Sequence, residues 1–193
     1  MTSRKSENYF LEILFGTAFL VVPFFCCTFA ADLKTGLEPE QNYKRKPTMS
    51  LSLSANFTLD ELTASRTAAA MGVDNTPSAE HIAHLQELVT VILQPMRDAW
   101  GGGIRVSSGY RGFRLNKSVG GSSSSAHCVG YAADLVPCNG KIKTFKAFVR
   151  KWLKEKNIPF DQFIDEKKNG SEWVHIGIRN RSGKQRRQYL TKR

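Results

Sequence analysis

Apolar residues recur along this chain with two different periods, and the switch between them outlines the elements. Ile82, Leu85, Leu88, Val89, Ile92 and Met96 recur at helical spacing, which predicts a long amphipathic helix that Pro95 kinks or ends locally. Phe145, Phe148, Val149, Trp152 and Leu153 repeat at three and four residues with Lys146, Arg150, Lys151 and Lys154 on the other face, predicting a second such helix. Ahead of both, Thr58-Leu-Asp-Glu61 has the pattern of a capping box. A short helix is therefore expected over residues 59–65, followed by the Ala-rich stretch 67–71 and a break at Asn75-Thr-Pro77.

Alternation marks the strands. Residues 104–108 alternate after three glycines and end in a turn at Gly109-Tyr-Arg111; one or two helical turns follow over 111–118, then a Gly/Ser loop over 120–125. Residues 132–136 read as a buried strand, and 162–165 and 173–179 as a terminal hairpin around the polar turn Lys167-Lys-Asn-Gly170. Helices early, strands late and no regular βαβ rhythm predict an α+β fold, a small mainly antiparallel sheet with helices packed against it.

At 193 residues the chain has room for one well-buried core. Residues 13–31 carry no charge, follow Arg4 and Lys5, and end in Thr28-Phe-Ala30, as a secretory signal peptide does before its cleavage site. Three readings of residues 1–31 stay open: a signal peptide, which puts the protein in the periplasm or outside the cell; an uncleaved membrane anchor; or an extension upstream of a start at Met49, which leaves the protein in the cytoplasm. Residues 32–48, with Pro39, Pro47 and Lys44-Arg-Lys46, read as a linker, and 49–193 as the working domain.

The net charge is +11, and Arg179, Arg181, Lys184, Arg186, Arg187, Lys192 and Arg193 concentrate it in a terminal stretch without an acid. Such an end suits polyanions, anionic cell-wall polymers among them, or is a solvated basic tail; no nucleic-acid-binding motif accompanies it. Cys128 and Cys138 are too few for a disulfide scaffold; they either pair across the strand they flank or are small buried hydrophobes. Of the histidines, His81 and His84 lie on the first amphipathic helix and read as surface residues.

Chemistry concentrates elsewhere. His127 and Asp134 flank the small residues Gly130, Ala132 and Ala133, which let the chain turn back so that both side chains reach one ion; His175 supplies a third donor from downstream. Two neutral imidazoles and one carboxylate suit a catalytic zinc ion, Zn2+, with an open position for water.

The motifs Ser108-Gly-Tyr-Arg111, Asn116, Gly120-Gly121, Ser125-x-His127-x-x-Gly130-x-Ala132-x-Asp134, Phe160-Asp-Gln162 and Trp173-Val-His175 resemble the zinc D-alanyl-D-alanine carboxypeptidase family. Its superfamily also holds vancomycin-resistance dipeptidases, phage L-Ala-D-Glu endolysins and the Hedgehog signalling domain. The resemblance extends over about residues 50–190 and includes Phe57-Thr-Leu-Asp-Glu-Leu62 and Asp74-Asn-Thr-Pro77. It implies that His127, Asp134 and His175 bind zinc, that Arg111 steadies a substrate carboxylate or polarises the scissile carbonyl, and that Ser125 and Tyr110 lie beside the substrate. Glu172, three residues before His175, is the first choice for general base, although on a regular strand that spacing points the two side chains to opposite faces, so the role requires a bulge. Glu166 is the rival, and the insert over residues 167–171 bears on both. The activity implied is hydrolysis of a peptidoglycan stem peptide by a monomer, first as removal of the terminal D-Ala from a D-Ala-D-Ala end. An L-Ala-D-Glu endopeptidase of a prophage lysis system and a zinc-stabilised binding module without activity are the alternatives.

Overall fold

Thr58 opens helix α1 (Leu59–Thr63) by accepting a hydrogen bond from the Glu61 N–H at 3.3 Å. The computed structural model describes residues 50–193, so the leader and linker expected over residues 1–48 lie outside the described residues. Glu61 does not reach back to close the capping box; its carboxylate accepts from the N–H of Val106 at 3.3 Å, on the first strand of the sheet. Ser65 caps α2 (Arg66–Ala70), and Ser78 caps α3 (Ala79–Leu88).

The long helix does not break at Pro95. Residues Val89–Leu93 widen into a π turn before α4 (Gln94–Trp100), and the Gln94 N–H bonds to the Val89 carbonyl five residues back. Proline has no N–H to donate, and the π turn places it in the first turn of α4, where none is required. The apolar face therefore stays continuous: Leu85, Leu88, Ile92 and Met96 are fully buried. Among the described residues, no helix is long and apolar enough to cross a membrane.

The remaining elements are β1 (Ile104–Ser108), α5 (Phe113–Ser118), a 3-10 turn (Ala126–Val129), β2 (Ala132–Pro137), α6 (Ile142–Glu155), β3 (Gln162–Lys168), β4 (Ser171–Gly177) and β5 (Gln188–Lys192). They form one sheet in the order β1-β2-β4-β3-β5, antiparallel except for the parallel pair β3 and β5. The fold is thus α+β, a five-stranded, mostly antiparallel sheet with helices packed against it. Side chains alternate across its two faces. Ala133, Leu135, Phe163, Val174 and Ile176 join the core shared with α3, α4 and α6, whereas Asp134, Ile164, Glu166, Trp173 and His175 line a cavity on the other face.

Several expectations change here. Part of the basic end is a strand rather than a solvated tail: β5 docks along β3, Arg179 pairs with Glu87 at 2.8 Å, and Arg186 pairs with Asp161 at 2.7 Å. Lys146 lies on the buried side of α6, not the solvent side. His81 and His84 are half-buried rather than superficial; His84 contacts the Val129 carbonyl through Nδ1 at 2.8 Å and stacks on Tyr131 with centroids 3.9 Å apart. Among the described residues Cys128 and Cys138 form no disulfide: Cys128 is buried in the 3-10 turn before β2, and Cys138 is exposed just after it.

Gly130 closes the 3-10 turn with φ +79°, and a Cβ there would meet the His81 carbonyl oxygen at 2.6 Å. Both the left-handed backbone and the close helix exclude a side chain. Gly130→Ala should therefore cost at least ~1–2 kcal/mol, and lower the midpoint of thermal unfolding by at least ~2–4 °C. An unchanged midpoint by circular dichroism would contradict this packing.

Candidate metal centre

Three elements deliver the predicted donors. The 3-10 turn presents His127, β2 presents Asp134 and β4 presents His175, and the last two are direct cross-strand partners. His127 and its neighbour Cys128 both lie in the 3-10 turn, and only His127 belongs to the donor set. His127 Nε2, His175 Nδ1 and Asp134 Oδ1 form a small triangle: 3.1 Å between the two nitrogens, 3.3 Å from His127 to the carboxylate and 2.9 Å from His175 to it.

Those separations fit a metal. Ligands ~2.0–2.1 Å from a tetrahedral zinc ion lie ~3.3–3.4 Å from one another, close to the triangle seen here. Hydrogen bonding points the same way. His127 Nδ1 faces the Gly109 carbonyl at 2.7 Å, and since a carbonyl only accepts, Nδ1 carries the proton and Nε2 keeps a free lone pair. One proton on His175 Nδ1 satisfies either His127 Nε2 or Asp134, whereas a cation at the centre satisfies all three donors.

Protonation is also suited to a cation. Burial is the strongest influence on both partners, pushing the Asp134 carboxyl up and the His127 imidazole down. For Asp134 the attraction and hydrogen bonds of His127, with those of His175, outweigh burial and hold the carboxyl far below the usual carboxylate range. For His127 burial prevails and keeps the ring neutral. An ionised carboxylate beside a neutral imidazole is the state a metal ligand needs.

The triangle opens onto a cavity of roughly 430 Å³ whose walls include Arg111, Ser125, Glu166, Trp173 and Lys192. A family model described as Peptidase M15 matches residues 55–176, more than half of the chain and all three donors. The chain belongs to the Peptidase M15 family. No curated protein matches it.

Within this M15 domain, Arg111 lines the cavity beside the donor triangle. Its backbone N–H donates to the His127 carbonyl at 3.1 Å, Nη1 lies 3.8 Å from Asp134, and Nε is buried without a partner. The turn Gly109-Tyr110-Arg111 thus grips His127 twice, through the Gly109 carbonyl and the Arg111 N–H. Ser125 lies half-buried at the cavity wall, immediately before the 3-10 turn. Tyr110, expected beside the substrate, is instead 7% exposed in the core with its ring 5.2 Å from His81, and it does not line this cavity.

The two glutamates separate cleanly. β3 and β4 stay in unbroken register from Gln162↔Gly177 to Lys168↔Ser171, so no bulge lies between Glu172 and His175. Glu172 consequently faces away from the triangle and is held at 2.8 Å by Lys146 and at 3.4 Å by Lys167. The Lys146 hydrogen bond keeps its carboxyl below the ordinary value, the wrong direction for a group that must take up a proton. Glu166 lines the cavity. It lies diagonally from His175, whose direct partner is Ile164, a separation of ~7–8 Å that a glutamate side chain spans.

Substituting any one donor leaves two and a hole where the third stood. His127→Ala, Asp134→Ala and His175→Ala should each lower bound zinc after dialysis from about one equivalent per chain to near zero, because three protein ligands are required. Elemental analysis reads this directly, and full zinc content in any of the three variants would contradict the assignment.

Proposed function

We propose that the chain is a zinc peptidase of peptidoglycan stem peptides, with removal of the terminal D-Ala from a D-Ala-D-Ala end as its first activity. The observation that carries this reading is the placement of Glu166 and Arg111 in the same cavity as the donor triangle. A site that merely held a structural ion would need neither.

His127, Asp134 and His175 would hold the zinc, which when bound supplies a Lewis acid and an acidified water. Gly109 keeps His127 in the correct tautomer through its carbonyl. Glu166 accepts the proton of the attacking water and returns it to the nitrogen of the departing amine. Arg111, with a fixed fork of donors and an unpartnered buried Nε, binds the substrate carboxylate and aligns the scissile bond. The unpaired part of the basic surface adds residence time on anionic wall polymers, an attraction that salt weakens. This reading places the protein in the cell envelope.

Release of D-Ala from a D-Ala-D-Ala-ended pentapeptide, with and without chelator, tests the proposal. Chelator should abolish release and added zinc restore it. Glu166→Gln should keep zinc and lower kcat on the order of 10²- to 10⁴-fold, whereas Glu172→Gln should change it little. An active Glu166→Gln variant would overturn the assignment of the base. Cleavage at L-Ala-D-Glu instead would move the activity to the endopeptidase, and no cleavage at full zinc occupancy would leave a binding module.

A further inference from the structure

The metal cavity has a wall that the family match does not account for. The match ends at residue 176, yet Asn180, Arg186 and Lys192 all line the cavity. This terminal segment is firmly seated. Arg186 donates from Nε and Nη2 to the buried Asp161, both at 2.7 Å, and Arg181 donates to the Ser123 carbonyl in the Gly/Ser loop on another part of the rim at 2.7 Å. β5 then runs parallel to β3, with Lys192 paired to Glu166 in register and its Nζ 3.7 Å from the Glu166 carboxylate.

Lys192 remains 62% exposed at its side chain, so the contact with Glu166 does not bury it. Lys168 lines the same end, and among the described residues it pairs with no carboxylate. Arg111 stands at the opposite end, beside Asp134 on β2. Three strand spacings separate β2 from β5 in the order β2-β4-β3-β5. At ~4.8 Å per spacing the two backbones lie roughly 14 Å apart, and the Lys192 side chain leans from β5 toward Glu166 on β3.

We propose that Lys192, supported by Lys168, is a specificity-determining residue that selects acidic peptides, those carrying a second carboxylate besides the one held by Arg111. The inference rests on the peptidase reading for the placement of the first carboxylate. Its chemistry is simple: Arg111 meets one anion of the ligand beside Asp134, and Lys192 with Lys168 meets a second on the Glu166 side of the cavity.

The test uses the full chain loaded with zinc and two five-residue peptides. Both end in a free carboxylate; one carries glutamates and the other glutamines at every position upstream of the bond that is cut. KM from hydrolysis and Kd from calorimetry should favour the acidic peptide by about two- to fivefold per exposed ion pair, with the preference shrinking at high salt. Lys192→Gln should bring the acid-to-amide ratio toward one, Lys168→Gln with Lys192→Gln should bring it further, and Lys192→Arg should retain it. A wild-type ratio of one, or an unchanged ratio in the double variant, would overturn the proposal. If neither peptide is cut, the peptidase reading fails by itself, and the calorimetric ratio still decides whether Lys192 selects acidic ligands.

Discussion

An ionised carboxylate held between two imidazoles, with almost no solvent around it, is the constraint on which this molecule turns. Asp134 and His175 are 8% exposed and His127 is 1% exposed, so little of the group meets solvent. A divalent cation satisfies it, and burial then strengthens the attraction instead of penalising the charge. Much of the surrounding backbone serves to hold that arrangement. The β2 and β4 ladder sets Asp134 opposite His175, Gly130 lets the 3-10 turn close against α3, and the turn after β1 fastens His127 by one carbonyl and one N–H.

The sheet also sorts acidic groups by face. Glu166 and Glu172 differ little in sequence context, but strand alternation sends one to the donor triangle and the other to Lys146. On that second face Lys146 lies 2.6 Å from Asp165 and 2.8 Å from Glu172, and donates to the backbone carbonyl of Glu166 at 3.2 Å. One buried ammonium therefore bridges the two carboxylates, Asp165 and Glu172, and ties down the strand segment that carries Glu166. The side chain of Glu166 faces the cavity, with Lys192 beside it.

How much of this could be read from residues alone follows physical lines. The donor set was legible because histidine and aspartate at those spacings have few other reasons to converge, and the elements were legible because period 2 and period 3.6 leave different apolar patterns. The requirement for a bulge at Glu172 was legible too, and the intact register decides against it. Backbone contributions were not legible: the Gly109 carbonyl on His127 belongs to no side chain, and the π turn at Val89–Leu93 is a rearrangement of hydrogen bonds without a residue signature. β5 was hidden because its five residues, Gln-Tyr-Leu-Thr-Lys, follow a basic stretch and show no clear alternation, and its pairing with β3 depends on main-chain groups at an edge. Tyr110 was misplaced because a motif shows adjacency to Arg111 but not that its ring turns into the core.

Zinc absorption spectroscopy of the loaded protein tests the central claim most directly, since it reads the atoms around the ion without reference to turnover. Two imidazole nitrogens and oxygen donors at ~2.0–2.1 Å are predicted, from His127, His175, Asp134 and solvent. A sulfur shell at ~2.3 Å, which would bring Cys128 into the coordination sphere, or the signature of a single imidazole, would contradict the account.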